Sequence, residues 1–200
     1  MKNLTVFILL VLFFASCSKP NRWQIIHEKE NSELATGVKN DTIFLGFVFG
    51  MSRSEVNSRL EKLAKSDKLT RNQITGYTYT FHFDLPESAE AMIRPYFFND
   101  SLYSFLLDVS NDKIYLAELV QLKLANMFIH KYGSGIIVPS MLDEKKNDYI
   151  WINGNRRIEV NAPTSSSFFV QYINVPIERR IDDIKMKKDS DRIQENLKDL

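Results

Sequence analysis

The chain has a single cysteine, Cys17, so no intrachain disulfide can form and the fold must rest on burial and hydrogen bonding. Glycine is scarce, with 7 in 200 residues. Neither GxGxxG nor GxxxxGK[ST] occurs, so no glycine-rich phosphate cradle or nucleotide cofactor is expected. The three histidines, His27, His82 and His130, are far apart, and HExxH and CxxC are absent, so no metal site is expected. G-x-S-x-G is missing too, and no catalytic residue is assigned. Neither sign of charge dominates. The formal net charge is +1, and without Lys2 in the leading segment it is zero. A neutral chain has no global field to attract a polyanion, so no nucleic-acid partner is expected. A long apolar run is also lacking. Residues 4–14 are uncharged, but a helix rising ~1.5 Å per residue needs about 20 such residues to cross a bilayer.

The beginning of the chain holds Lys2, the apolar run 4–14, the small residues Ala15 and Ser16, and then Cys17. Positive, apolar and small-residue parts in this order form a secretion signal. The segment resembles the type II signal peptide of bacterial lipoproteins, with Phe14 where most such signals carry an aliphatic residue. That resemblance implies removal of residues 1–16, lipidation of Cys17 and a membrane partner through the lipid. Ser18 after the cysteine resembles the outer-membrane sorting pattern, which implies a cell-envelope protein facing the periplasm. The alternative is an ordinary secretory signal with an incidental cysteine. Residues 17–40 then read as the lipidated N-terminus and a polar tether, with Trp23 docked on the body or at lipid headgroups.

The body reads as residues 41–176. The apolar stretch 42–50 reads as a strand. Ser52 and Glu55 have capping-box spacing, Met51 and Val56 the staple spacing, and Val56, Leu60, Leu63 and Ala64 one apolar stripe. In the strand 76–85, Tyr77, Tyr79, Phe81 and Phe83 alternate with Thr78, Thr80 and His82. Its aromatic face is either a ligand platform or a core face. Residues 91–109 read as a hairpin turning at Asn99–Ser101, with Tyr103, Phe105, Leu107 and Val109 on one face. Pro95 places its strand at an edge or a bulge. A helix follows over 113–132, capped by Asn111 or Asp112, with Leu116, Leu119, Val120, Leu124, Met127 and Phe128 apolar. After a long connection, Asn153-Gly154 turns a hairpin and 167–175 is a strand. Residues 177–200 are a charged C-terminal helix or tail, either solvated or docked in a partner's groove.

Helix followed by about three strands, twice, predicts an α+β fold of two units (αβββ-αβββ), 41–110 and 111–176, with helices on one sheet face. Residues 50–56, GMSRSEV, open the first unit. They are similar to the start of small helix-plus-meander modules in periplasmic lipoproteins and proteinaceous β-lactamase inhibitors.

Candidate binding residues are Trp23, His82 on a polar strand face, and Arg156 with Arg157 as an anion-binding pair after the Asn-Gly turn. Asp84 and Asp108 form a candidate carboxylate pair across strands. The expected function is a lipid-anchored, non-enzymatic binding module for an envelope protein or component. Two alternatives stay open: an inhibitor of a hydrolase, as the second resemblance implies, and an unrecognised enzyme acting on cell wall or glycan.

Overall fold

Two capping boxes set the first two helices. Asn21 accepts from the Gln24 amide while the Gln24 side chain accepts from the Asn21 amide, and helix α1 runs Arg22–Ala35. Ser52 and Glu55 make the same reciprocal pair at the start of α2, Arg53–Lys65. Ser52→Ala is expected to cost about 1 kcal/mol in urea unfolding, because it leaves amide donors of the first turn without an acceptor. The computed structural model describes residues 21–74, 76–83, 88–110, 114–141, 143–164 and 167–198. Cys17, the signal segment, Asp84 and the expected caps Asn111 and Asp112 lie outside them.

Four strands follow α2: β1 Thr70–Asn72, β2 Gly76–Phe81, β3 Ala89–Phe98 and β4 Ser101–Ser110. Then comes α3, Ile114–Tyr132, and four more strands: β5 Ile136–Pro139, β6 Asn147–Asn153, β7 Arg156–Val160 and β8 Ser167–Asn174. The C-terminal helix α4 spans Val175–Lys198. The strands form one antiparallel sheet of eight, ordered β1-β2-β3-β4-β8-β7-β6-β5. The fold is α+β, but the expected pair of three-stranded units is corrected to two meanders of four that merge at β4–β8. The strands missing from the sequence reading are β1 and β5, the two edges, which are short and lack a full alternating pattern.

The expectation that the helices share one face is also corrected. Val56, Leu60 and Leu63 of α2, and Val120, Leu124 and Phe128 of α3, pack on one face over Phe105, Leu107, Ile158 and Tyr172 in a single core. On the other face, Ile26 of α1 packs with Val138, Ile150 and Ile152. Residues 22–35, read as part of the tether, are therefore a docked helix.

The stretch 42–50 is not a strand. A 3-10 turn at Phe44–Gly46, bracketed by a Thr42–Val48 bridge, drives Ile43, Phe47 and Phe49 into the core. Leu45 and Gly46 both have positive φ, and Arg59 donates to the Leu45 carbonyl, so the chain folds back instead of extending. The aromatic face of β2 packs against the core, while Thr78 and Thr80 face the other way.

Asn99 and Asp100 turn the β3–β4 hairpin, both with positive φ as in a type I′ turn. A bulge then changes the phase of β4: Tyr96 pairs with Ser104 but Phe97 pairs with Leu102. Tyr103 is the extra residue, so Leu102 and not Tyr103 joins Phe105, Leu107 and Val109 in the core. Pro95 sits beside that bulge on an interior strand, beyond the end of the β2–β3 ladder, which reaches Met92.

In α3, Leu119 and Met127 are exposed and not core residues, whereas Ala117, Gln121 and Ala125 are buried. Among the described residues no helix is long and apolar enough to cross a membrane, and no group of His, Cys, Asp and Glu is placed to hold a metal ion.

Candidate functional site

The hairpin β6–β7 carries the two arginines read as one anion-binding pair. Successive residues of a strand point to opposite faces, so the structure separates them. Neither is solvated: α1 covers one face of this hairpin and α3 the other, and both side chains are buried.

Arg157 lies on the α1 face. Its guanidinium pairs with Glu30 of α1, with Glu159 at 2.5 Å and with Glu178 of α4 at 2.8 Å. Burial works against its charge, but Glu159, Glu178 and Glu30 outweigh that and hold it more firmly protonated than usual. Glu30 is almost fully buried and also receives Arg179 of α4 at 2.8 Å. Burial alone would raise its carboxyl. The hydrogen bond from Arg179 and the charge and hydrogen bond of Arg157 win, so it stays below the ordinary value. Glu178 moves the other way: burial, with Glu159 and Glu30 nearby, outweighs its share of Arg157. A second link fastens the start of α1, where Arg22 pairs with buried Asp148 at 2.6 Å and donates to the Pro139 carbonyl at 2.9 Å. With every Arg157 donor group committed to a carboxylate, this cluster joins α1, β7 and α4. It leaves no nitrogen of Arg157 for a ligand.

Arg156 lies on the α3 face in a different setting. It is 8% exposed, and its Nη1 donates to the Thr42 carbonyl at 2.7 Å. The Tyr132 ring lies 5.0 Å from the guanidinium carbon, and Nε is buried without a partner. Among the described residues no carboxylate pairs with it. Arg156 lines a small concavity at the end of β5, together with Lys29 of α1, Tyr132, Ser134, Trp151 and Asn153. Neither Lys29 nor Ser134 was marked in the sequence. The signal that could have found Lys29 is the Asn21-x-x-Gln24 capping box, which starts a helix and so assigns its faces.

The remaining candidates are not brought together. Trp23 is 47% exposed and stacks on His27 of its own helix. His82 follows β2 and borders a different concavity with Lys68, Thr70 and Tyr79. Asp108 pairs with Arg94 at 2.9 Å and has no described carboxylate partner.

A broad surface accompanies these sites. On the α1 side of the sheet, the half built by β2, β3, β4 and β8 carries no helix along most of its length. Its side chains lie in rows across the strands: Thr78, Met92, Asp108 and Phe169, then Arg94, Leu106 and Gln171, then Tyr96, Ser104 and Ile173. Tyr96 is 42% and Phe169 38% exposed, while Ile173 and Ser104 are buried and Ser104 accepts from Gln171 at 2.9 Å. At one end α4 leans on this face, with Arg180 over the Phe98 ring. There burial, followed by the charge of Glu178, raises the Tyr103 hydroxyl. No family model, no curated protein and no solved structure matches this chain.

Proposed function

We propose that the chain is a lipid-anchored protein of the bacterial envelope, held at Cys17 on the periplasmic side of the outer membrane, and that its body is a non-enzymatic module that binds an envelope protein. The observation that carries the binding reading is the open sheet face of β2, β3, β4 and β8. It mixes Tyr, Met, Phe and Arg with small polar groups, the composition of a protein interface and not of an ordinary surface.

The start of α1 shapes the anchor. Arg22 is the fifth residue after Cys17 and is fixed to Asp148. At ~3.5 Å per residue, five steps reach at most about 17 Å. A lipid on Cys17 would thus hold the whole sheet close to the bilayer in a restricted set of orientations, with no long leash. Intact mass of the membrane-extracted protein tests this part, and an unmodified Cys17 ends it.

The binding part is tested by photo-crosslinking in living cells from three positions. Positions 96 and 169 on the open face are expected to give the same discrete adduct. Position 61, exposed on α2, is expected to give none. Adducts of equal yield from all three, or from none, overturn the reading. The inhibitor alternative uses the same face. In that case the captured partner is a hydrolase whose activity falls on addition of the purified chain.

A further inference from the structure

We propose that the concavity beside Arg156 is a binding site for one oxyanion group, a carboxylate or a phosphate, held between Arg156 and Lys29. It lies at the β5–β7 end of the sheet, lined by residues of both faces, and depends neither on the open face nor on the anchor.

The argument starts from the contrast between two adjacent arginines of one strand. Arg157 is surrounded by three carboxylates, as a buried cation requires. Arg156 is equally buried, yet its described partners are one carbonyl and one aromatic ring. A ring face and a carbonyl oxygen favour a cation but do not neutralise it, and one of its N–H groups is left without an acceptor. The cost of burying that charge is met when an anion enters.

The walls fit such a guest. Among the described residues no carboxylate lines the concavity, and a second cation, Lys29, does. Its ammonium pairs with Glu33 at 2.6 Å and, with three donors, can also donate to an incoming oxyanion. Ser134 and Asn153 add a hydroxyl and an amide that can donate to oxygen. The cavity volume is about 60 Å³, room for a few waters or a single oxyanion group and not for a whole cofactor. The rest of any larger ligand would project outward past the end of β5.

The walls of the site are also fastened to one another. Trp151 Nε1 donates to the Gly133 carbonyl at 2.9 Å, which presses the turn 133–135 against the indole. A Cβ at Gly135 would come within 2.8 Å of the Ile150 carbonyl oxygen and 2.9 Å of the Trp151 ring, so only glycine allows this approach. A planar guanidinium in a pre-shaped recess favours a group with two or more charged oxygens over chloride.

The test uses the full chain in detergent, titrated separately with sodium phosphate and sodium acetate, with sodium chloride holding the ionic strength constant. The readout is the Trp151 indole N–H resonance, with the Trp23 indole as internal control. A saturable shift of Trp151 alone is expected with one of the two anions. Saturation by phosphate assigns a phosphate group, and saturation by acetate assigns a carboxylate. Arg156→Gln is expected to abolish saturation. Lys29→Gln, on a partly exposed helix position, removes only a weak i,i+4 pair with Glu33 and is expected to weaken binding roughly tenfold through loss of a charged contact. Linear drift without saturation for both anions overturns the proposal, and so does a Lys29→Gln chain that binds like the parent.

Discussion

Glu30→Gln is expected to lower the unfolding free energy at neutral pH by about 3 kcal/mol, measured by urea denaturation. The carboxylate is the shared acceptor of Arg157 and Arg179, and it is buried between them. Glutamine keeps the shape but removes the charge, which leaves Arg157 with less compensation in a dry setting. Removing one member of a buried ion cluster is costly because the partner charge stays behind.

The pH profile separates this from simple loss of packing. The folded-state pKa of Glu30 is depressed, so its contribution is present above the ordinary carboxylate value of 4.5 and is lost as pH falls through the folded-state value. The parent should therefore lose stability on acidification, and Glu30→Gln should lose less. Glu178 has the opposite sign. Its pKa is raised, so its effect is fully favourable below 4.5 and is lost as pH rises through its folded-state value. Glu178→Gln should cost less than Glu30→Gln at neutral pH and should flatten the profile above 4.5. Identical acid limbs in the parent and Glu30→Gln would sink this account of the cluster.

Gly154→Ala is expected to cost about 3 kcal/mol, also by urea denaturation. Two effects add. Gly154 has φ +57°, where a side chain costs roughly 1–2 kcal/mol. A Cβ there would also run into the carbonyl of Val38, and overpacking of this kind costs about 1–3 kcal/mol. The crowding exists because the tip of the β6–β7 hairpin clamps the segment that leads from α1 into the body. The Gly154 amide donates to Glu33 at 3.1 Å, Asn155 Oδ1 accepts from the Asn40 amide at 2.6 Å, and Asn155 Nδ2 donates to Asp41 at 2.7 Å. Gly37→Ala is the control. Its φ is +70°, but nothing lies within 4 Å of the added carbon, so the φ cost alone of about 1 kcal/mol is expected. Equal losses for the two variants would show that the hairpin tip is not pressed against Val38.

Asn153-Gly154 shows how far sequence reading goes. The pair announces a turn, and a turn is there. Nothing local reveals that residues 38–41 pack on it, since the partners are more than a hundred residues apart in the chain. The same holds for the arginines. Their position after the turn is legible, and so is the alternation that must part them. Their partners Glu30, Glu178, Thr42 and Tyr132 come from four other elements. Tyr103 failed for a different reason. A bulge inserts one residue and reverses the alternation, and the run SLYSFLLDV carries no glycine or other mark of it. The edge strands β1 and β5 were missed because three or four residues are too few to establish a period.

What the sequence determined by itself is local. The capping box at Ser52, the aromatic alternation of β2, the Asn-Gly turn and the long helix over 114–132 each depend on residues within one or two turns of chain, where spacing dictates geometry. The tertiary structure decided which face each helix covers, that the two meanders join into one sheet, and that one arginine is neutralised by carboxylates while its neighbour has none among the described residues. Those outcomes depend on which distant surfaces meet, and burial and charge compensation are settled only after they have met.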